Sequence, residues 1–237
     1  MEATTIPSAG FDFVGVDIHG LRRSVSVDNL RLPGLVIRAR KRIETELRNR
    51  SSRVMTVFGG YVSVPAAMAA RRHGIPLFVH EQNAVPGLAI RLVAKRAEAT
   101  FVAFPDAAEA LPRAEVTGNP LRAAFEKFDR EALRPAALER YAVPAGVPVL
   151  GVLGGSLGAR VLNTVAERIA ADADPGALAI VHLTGRTHFD GIAPRAARSP
   201  QDWTPVAFED KMEHFYAASD LVLSRSGALT ISELAAT

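Results

Sequence analysis

Four stretches of this 237-residue chain carry side chains that could do chemistry, and each follows an apolar run. The first is FGGYVS, which holds Gly59, Gly60, Tyr61 and Ser63. Paired glycines let a backbone turn tightly and aim its amides at a ligand above the next helix. An ordinary strand-to-helix turn uses the same pair. The second is VHEQN, residues 79–83, where an imidazole, a carboxylate and two amides stand in a row. Glu81 is a candidate proton acceptor or partner for a sugar hydroxyl. A histidine at a strand end is often only a satisfied hydrogen-bonding residue. The third is LGGSLGAR. Its backbone around Gly154, Gly155 and Ser156, with the Ser156 hydroxyl, faces the positive end of the next helix, which favours phosphate. Ser156 stands where the dinucleotide fingerprint G-x-G-x-x-G needs its second glycine, and no G-x-x-x-x-G-K-[ST] occurs. The fourth is SRSGALTISELAA. Ser226 is a good helix N-cap type. Ser226, Thr230 and Glu233 share one helical face, while Ala228, Ile231, Leu234 and Ala235 share another. A carboxylate on the polar face can accept two hydrogen bonds from a ribose diol, and an amphipathic helix with a surface Glu has the same pattern.

These stretches need elements to hold them. Strands are expected at 11–18, 53–60, 75–81, 99–104, 114–120, 147–155, 178–185, 204–209 and 220–224. Helices are expected at 32–48, with Pro33 near the start, and at 65–74, 86–97, 159–172 and 211–219. Strand–helix alternation argues for parallel sheets covered on both faces, an α/β class. The rhythm fails at 124–146, a charged stretch with Pro135 and Pro144, and then restarts. Two doubly wound domains follow, at 1–123 and 147–237, with 124–146 as a linker or peripheral helix. In open parallel sheets ligands sit at the carboxyl ends of strands, which is where all four stretches fall.

With no cysteine, thiolate chemistry and disulfides are excluded. No His/Asp/Glu cluster with ligand spacing stands out, so no metal and no cofactor is expected. No apolar run reaches spanning length, and the first ten residues lack a signal-peptide pattern. Ten Arg and Lys crowd residues 22–53, among them Arg38, Arg40, Lys41 and Arg42 beside apolar Leu35, Val36 and Ile37. That mixture suits an anionic membrane surface, although a solvated helix face has it too. A nucleic-acid partner is not expected, because no stacking-aromatic motif accompanies the charge.

Taken in order, GGYVSVPAAMAA, IPLFVHEQNAVPGLA, VTGNPLR, GVLGGSLGARVLN and ASDLVLSRSGALTISELAA resemble the MurG family. The resemblance runs from residue 20 to the end. It implies a GT-B fold of two Rossmann-like domains, the first for the acceptor and the membrane, the second for the donor. It implies an inverting transfer of GlcNAc from UDP-GlcNAc to the C4 hydroxyl of lipid I, giving lipid II at the cytoplasmic face of the bacterial plasma membrane. By the same resemblance, Arg122 and Ser156 hold the UDP diphosphate and Glu233 binds the ribose. Residues Ala228, Leu229, Thr230, Ile231, Ser232 and Glu233 line the nucleotide and sugar. The Glu209 backbone reads the uracil edge, at a position where the family often has an apolar residue. Asn83 contacts the donor sugar, and Gly59, Gly60, Tyr61 and Ser63 face the acceptor diphosphate. Related UDP-sugar epimerases share the architecture, but HEQN and GGYVS argue against them.

The family pattern also has a first strand with a glycine-rich loop ending in His, and a later Gln-containing loop. Neither is found in this sequence, so the chain is expected to be a fragment cut at both ends and inactive or nearly so. Glu81 is left as the candidate base. The alternative expectation is a non-catalytic chain that keeps partial nucleotide or membrane binding.

Overall fold

The computed structural model describes residues 2–18, 27–155 and 158–237. The chain divides into two units, residues 1–119 and 120–237.

The first unit contains α1 (Glu2–Ser8), α2 (Val27–Asn49), β1 (Met55–Val57), α3 (Ser63–His73), β2 (Leu77–Glu81), α4 (Leu88–Ala94), β3 (Ala99–Val102), α5 (Pro105–Ala110) and β4 (Ala114–Val116). Its four strands are all parallel, in the order β1-β2-β3-β4. Val57, Leu77, Val79 and Val102 pack under Ala66 and Ala70 of α3 and Ile90, Val93 and Ala94 of α4. Small residues on α3 let it lie close to the sheet. Gly74, at φ 63°, stops α3 in the left-handed conformation that favours glycine.

The second unit contains a short 3-10 turn (Ala123–Phe125), α6 (Arg130–Arg140), β5 (Val149–Leu153), α7 (Arg160–Asp172), β6 (Ala179–Leu183), α8 (Phe189–Ala196), β7 (Asp202–Val206), α9 (Met212–Ala218), β8 (Leu221–Ser224) and α10 (Ala228–Ala235). Its strands are parallel in the order β7-β6-β5-β8. Strand periodicity divides the core in two. Ala179, Val181 and Leu183 face Tyr141 on the α6 side and Phe215 of α9, whereas Ile180 faces Ala166 and Ala170 of α7 and Ile192 of α8. Two parallel four-stranded α/β sheets agree with the two Rossmann-like domains of the GT-B class, although among the described strands only the second sheet reverses its order.

Four expectations need correction. Residues 11–18 form neither helix nor strand, despite their alternating apolar pattern. A strand exists only through a partner's hydrogen bonds; instead this segment lies along α2, with Asp12 paired to Arg50 at 2.5 Å. Of the two readings of residues 124–146 the helix holds, as α6, and the linker does not, because Phe125, Ala137 and Tyr141 are buried in the core of the second unit. The charges there are used locally. Arg130 and Arg134 pair with Asp220 at 2.7 and 2.9 Å, and Arg134 also donates to the Ala217 and Ala218 carbonyls that end α9. Pro33 lies inside α2, not near its start, since the helix begins at Val27. Ser226 is not the N-cap of α10; that position is Gly227, with no side-chain cap.

Candidate functional site

In the second unit the chain steps outward from β5 to β6 to β7, then returns to the far side of β5 as β8. The strand order reverses at the β5–β8 boundary, and ligands of open α/β sheets bind in the crevice at such a point. A crevice of about 270 Å³ lies there, lined by Leu153, Gly154, Gly155, Arg225, Ser226, Gly227 and Thr230. Because Gly227 caps α10 through its backbone, the Ser226 hydroxyl is left to the crevice. Arg225 was not singled out from the sequence, although it stands inside the fourth motif. Ser156 lies outside the described residues.

The loop before α7 is held by close backbone packing. Gly158 has φ 73°, and a β-carbon there would meet the Thr184 carbonyl oxygen at 2.1 Å. That carbonyl accepts a hydrogen bond from Asn163 Nδ2 at 3.2 Å. The Asn163 amide is thereby oriented, and its Oδ1 faces His182 Nε2 at 3.0 Å. An oxygen acceptor requires His182 to carry its proton on Nε2. Burial pushes the His182 imidazole down to about 4, so the ring is neutral at pH 7. Neither residue stood out from the sequence, since the contact joins positions 19 apart.

Arg122 and Glu233, expected to act on one nucleotide, do come together. Arg122 Nη2 lies 3.8 Å from Glu233 Oε1, and Arg122 Nη1 donates to the Asp210 carbonyl. Glu233 Oε2 accepts the Tyr216 hydroxyl at 2.8 Å. Burial, and then that hydrogen bond, raises the Tyr216 phenol, which stays protonated as a donor. Glu233 is thus fixed on its helix, not a freely solvated surface carboxylate. The remaining α10 residues are only partly covered: Leu229 and Ile231 are exposed, and Leu234 packs on the core. Ile231 and Ala235, on the apolar side of α10, are exposed, since α10 follows β8, an edge strand of the sheet.

Glu209 is buried. Its carboxylate accepts from Arg140 Nε and Nη2 at 3.0 and 2.7 Å, from Tyr141 Oη at 2.7 Å, and from the Lys211 amide at 2.8 Å. Burial alone would raise it, yet the Arg140, Tyr141 and Lys211 donors hold it down to about 2.

In the first unit, Gly59 and Gly60 both take positive φ, at 88° and 75°. The buried Ser63 hydroxyl donates to the Gly59 carbonyl at 2.6 Å, so it shapes the loop from within. Tyr61 is exposed. At the end of β2, Glu81 is buried, and its Oε1 accepts both the backbone and side-chain N–H groups of Asn83, at 2.9 and 2.8 Å. His80 Nε2 lies 3.1 Å from the Gly118 carbonyl, and Gln82 Nε2 lies 3.3 Å from His80 Nδ1. Gly59, Gly60, Glu81 and Asn83 thus gather where strands of this sheet end.

The same unit carries a groove of about 910 Å³ among α2, α3 and α4, where Met68 and Leu92 are flanked by Arg40, Arg71, Arg72, Lys95 and Arg96. Arg40 and Arg72 both reach Glu44, at 3.3 and 3.7 Å. Arg38 and Lys41 are exposed, and Arg42 pairs with Glu46 at 3.6 Å. The α2 cations therefore do not form one face.

Comparison with known proteins follows the same division. The glycosyltransferase family 28 N-terminal domain matches residues 1–102, and the family 28 C-terminal domain matches residues 149–237. The UDP-N-acetylglucosamine--N-acetylmuramyl-(pentapeptide) pyrophosphoryl-undecaprenol N-acetylglucosamine transferase of Burkholderia vietnamiensis is 40% identical over the whole chain, and that of Clavibacter sepedonicus is 37% identical. The chain spans 63% of the length of each of these curated relatives. The crystal structure of Acinetobacter baumannii MurG superposes with a TM-score of 0.67 at 27% identity, over all of this chain and 65% of that one. A UDP-GlcNAc 2-epimerase from Neisseria meningitidis, bound to UDP-GlcNAc, shares only the fold, with a TM-score of 0.58 at 14% identity over 88% of this chain and 62% of that one. The chain belongs to glycosyltransferase family 28, in the MurG group.

Proposed function

We propose that the protein is an inverting glycosyltransferase that moves GlcNAc from UDP-GlcNAc to the C4 hydroxyl of lipid I, forming lipid II and UDP. The β5–β8 crevice carries this reading. It combines backbone amides at Gly154 and Gly155 with cationic Arg225, and the unit also holds Arg122 beside the fixed carboxylate of Glu233. A nucleoside diphosphate needs that combination: donors and positive charge for the phosphates, and an anionic acceptor for the ribose hydroxyls. The names of the relatives supply the sugar and the acceptor. In this reading the second unit takes the donor and the first takes the acceptor.

The reaction is a direct displacement. The acceptor C4 hydroxyl oxygen attacks the anomeric carbon as the bond to the UDP oxygen breaks, and the hydroxyl proton passes to a base. Glu81 is the base in this account. Asn83 occupies its Oε1, and Oε2 takes no hydrogen bond among the described residues. Arg122 and the loop amides offset the charge that develops on the leaving diphosphate.

The acceptor carries a lipid, so the first unit must reach a membrane surface. Among the described residues no helix is long and apolar enough to cross a membrane. We place the contact at the α2–α3–α4 groove, where cations surround exposed Met68 and Leu92, on the cytoplasmic face of the plasma membrane.

The test is incubation with labelled UDP-GlcNAc and lipid I in vesicles. Label entering lipid only when lipid I is present supports the enzyme. Binding of UDP-GlcNAc without transfer supports the alternative, a non-catalytic chain that retains nucleotide binding. Absence of both overturns the reading.

A further inference from the structure

Two acidic residues in the turn that follows β7 are treated very differently. Asp210 is exposed at its side chain, while its neighbour Glu209 has a side chain only 1% exposed. A buried carboxylate is costly unless it is fully paired. Glu209 meets that demand with four donors: two from Arg140, one from Tyr141, and the Lys211 amide. Arg140 and Tyr141 belong to the end of α6, far from Glu209 in sequence, so the cluster ties the 209–211 turn to a separate element. The turn is also held from its other side, because the Asp210 carbonyl accepts Arg122 Nη1. Arg122 in turn reaches Glu233, which Tyr216 fixes. Hydrogen bonds and an ion pair, with the Glu209–Asp210 backbone as the one covalent link, therefore connect Arg140 through Glu209, the Asp210 carbonyl and Arg122 to Glu233.

Arg122 is half exposed, and an arginine in that state has many rotamers. Its guanidinium binds an anion well only if its fork is aimed beforehand. The Asp210 carbonyl does the aiming, and the position of that carbonyl depends on the turn that Glu209 anchors.

We propose that Glu209, with Arg140 and Tyr141, is a positioning residue that orients Arg122 toward the phosphates of the bound nucleotide. The proposal rests on the nucleotide reading of this unit. It is separate from any backbone contact of Glu209 to the base. It explains why a carboxylate occupies a site where an apolar side chain would fill the space at no desolvation cost.

The experiment compares uridine, UMP and UDP binding by calorimetry in the full chain, in Glu209→Gln, in Arg122→Met and in the double variant. Thermal midpoints are measured alongside. Tyr141→Phe, which removes one donor only, serves if Glu209→Gln fails to fold. The expected result is a loss that grows with phosphate: uridine unchanged, and UDP weaker by about tenfold, a change of roughly 1.4 kcal/mol. In the Arg122→Met background the Glu209 change adds nothing further. Equal weakening of uridine and UDP, or additive losses in the double variant, overturns the proposal and leaves the nucleotide reading standing. Failure of the unaltered chain to bind UDP overturns both.

Discussion

Glu233 is the residue on which the nucleotide reading most depends. Its carboxylate is held by Tyr216 and approached by Arg122, which leaves it oriented for a diol. Losing hydrogen bonds to a charged acceptor costs roughly 1.5–3 kcal/mol. Glu233→Ala should therefore weaken UDP and UDP-GlcNAc alike, and unchanged UDP affinity in calorimetry would remove Glu233 from the ribose role. His182 gives a second residue-scale expectation. Its buried ring is neutral down to about pH 4, whereas in the unfolded chain it takes a proton near 6.5. Between these values only the unfolded state binds the proton, so stability is full above pH 6.5 and falls as the pH drops toward 4, by about 3 kcal/mol. Urea unfolding at pH 7.5 and 4.5 should show a smaller difference in His182→Gln than in the parent; equal differences would contradict the assignment. Glu233 was singled out from a local helical motif and Arg122 from the family resemblance. Tyr216, Asn163 and Arg140 were not, because each acts on a partner that only the sheet brings near.

At the scale of elements, the loop before α7 must lie against the end of β6. Gly158 permits that through its positive φ and missing side chain. Gly158→Ala would strain the backbone and press on the Thr184 carbonyl, a cost of roughly 1–3 kcal/mol. Lower thermal stability together with loss of UDP binding is expected; an unchanged Tm would show that the loop has room. The α3 and α4 helices carry the membrane prediction. Replacing Arg71, Arg72, Lys95 and Arg96 by Ser should remove most binding to anionic vesicles at low salt, each cation counting for about 1 kcal/mol. The same change at Arg38, Lys41 and Arg42 should matter less, since those side chains do not line the groove. Equal losses in both sets would return the contact to α2. Periodicity located most strands and helices, since each has a buried face of fixed period. It failed at residues 11–18, where alternation lacked a partner edge, and at α6, whose arginines pair with Asp220 and cap α9. Charge alone cannot distinguish that arrangement from a solvated linker.

At the scale of the molecule, the two parallel sheets have different strand orders, and only the second reverses. This difference follows from connectivity, which no local pattern in the sequence encodes, and it is the reason the β5–β8 crevice is proposed as the nucleotide-sugar site. The most direct test is a titration of the isotopically labelled chain with UDP, followed through backbone amide resonances, with GDP in parallel. The account predicts saturable UDP-dependent shifts concentrated at Gly154, Gly155, Ser226, Gly227, Thr230 and Glu233, and weaker effects from GDP. Shifts confined to the first unit, or no shifts at millimolar UDP, would contradict it.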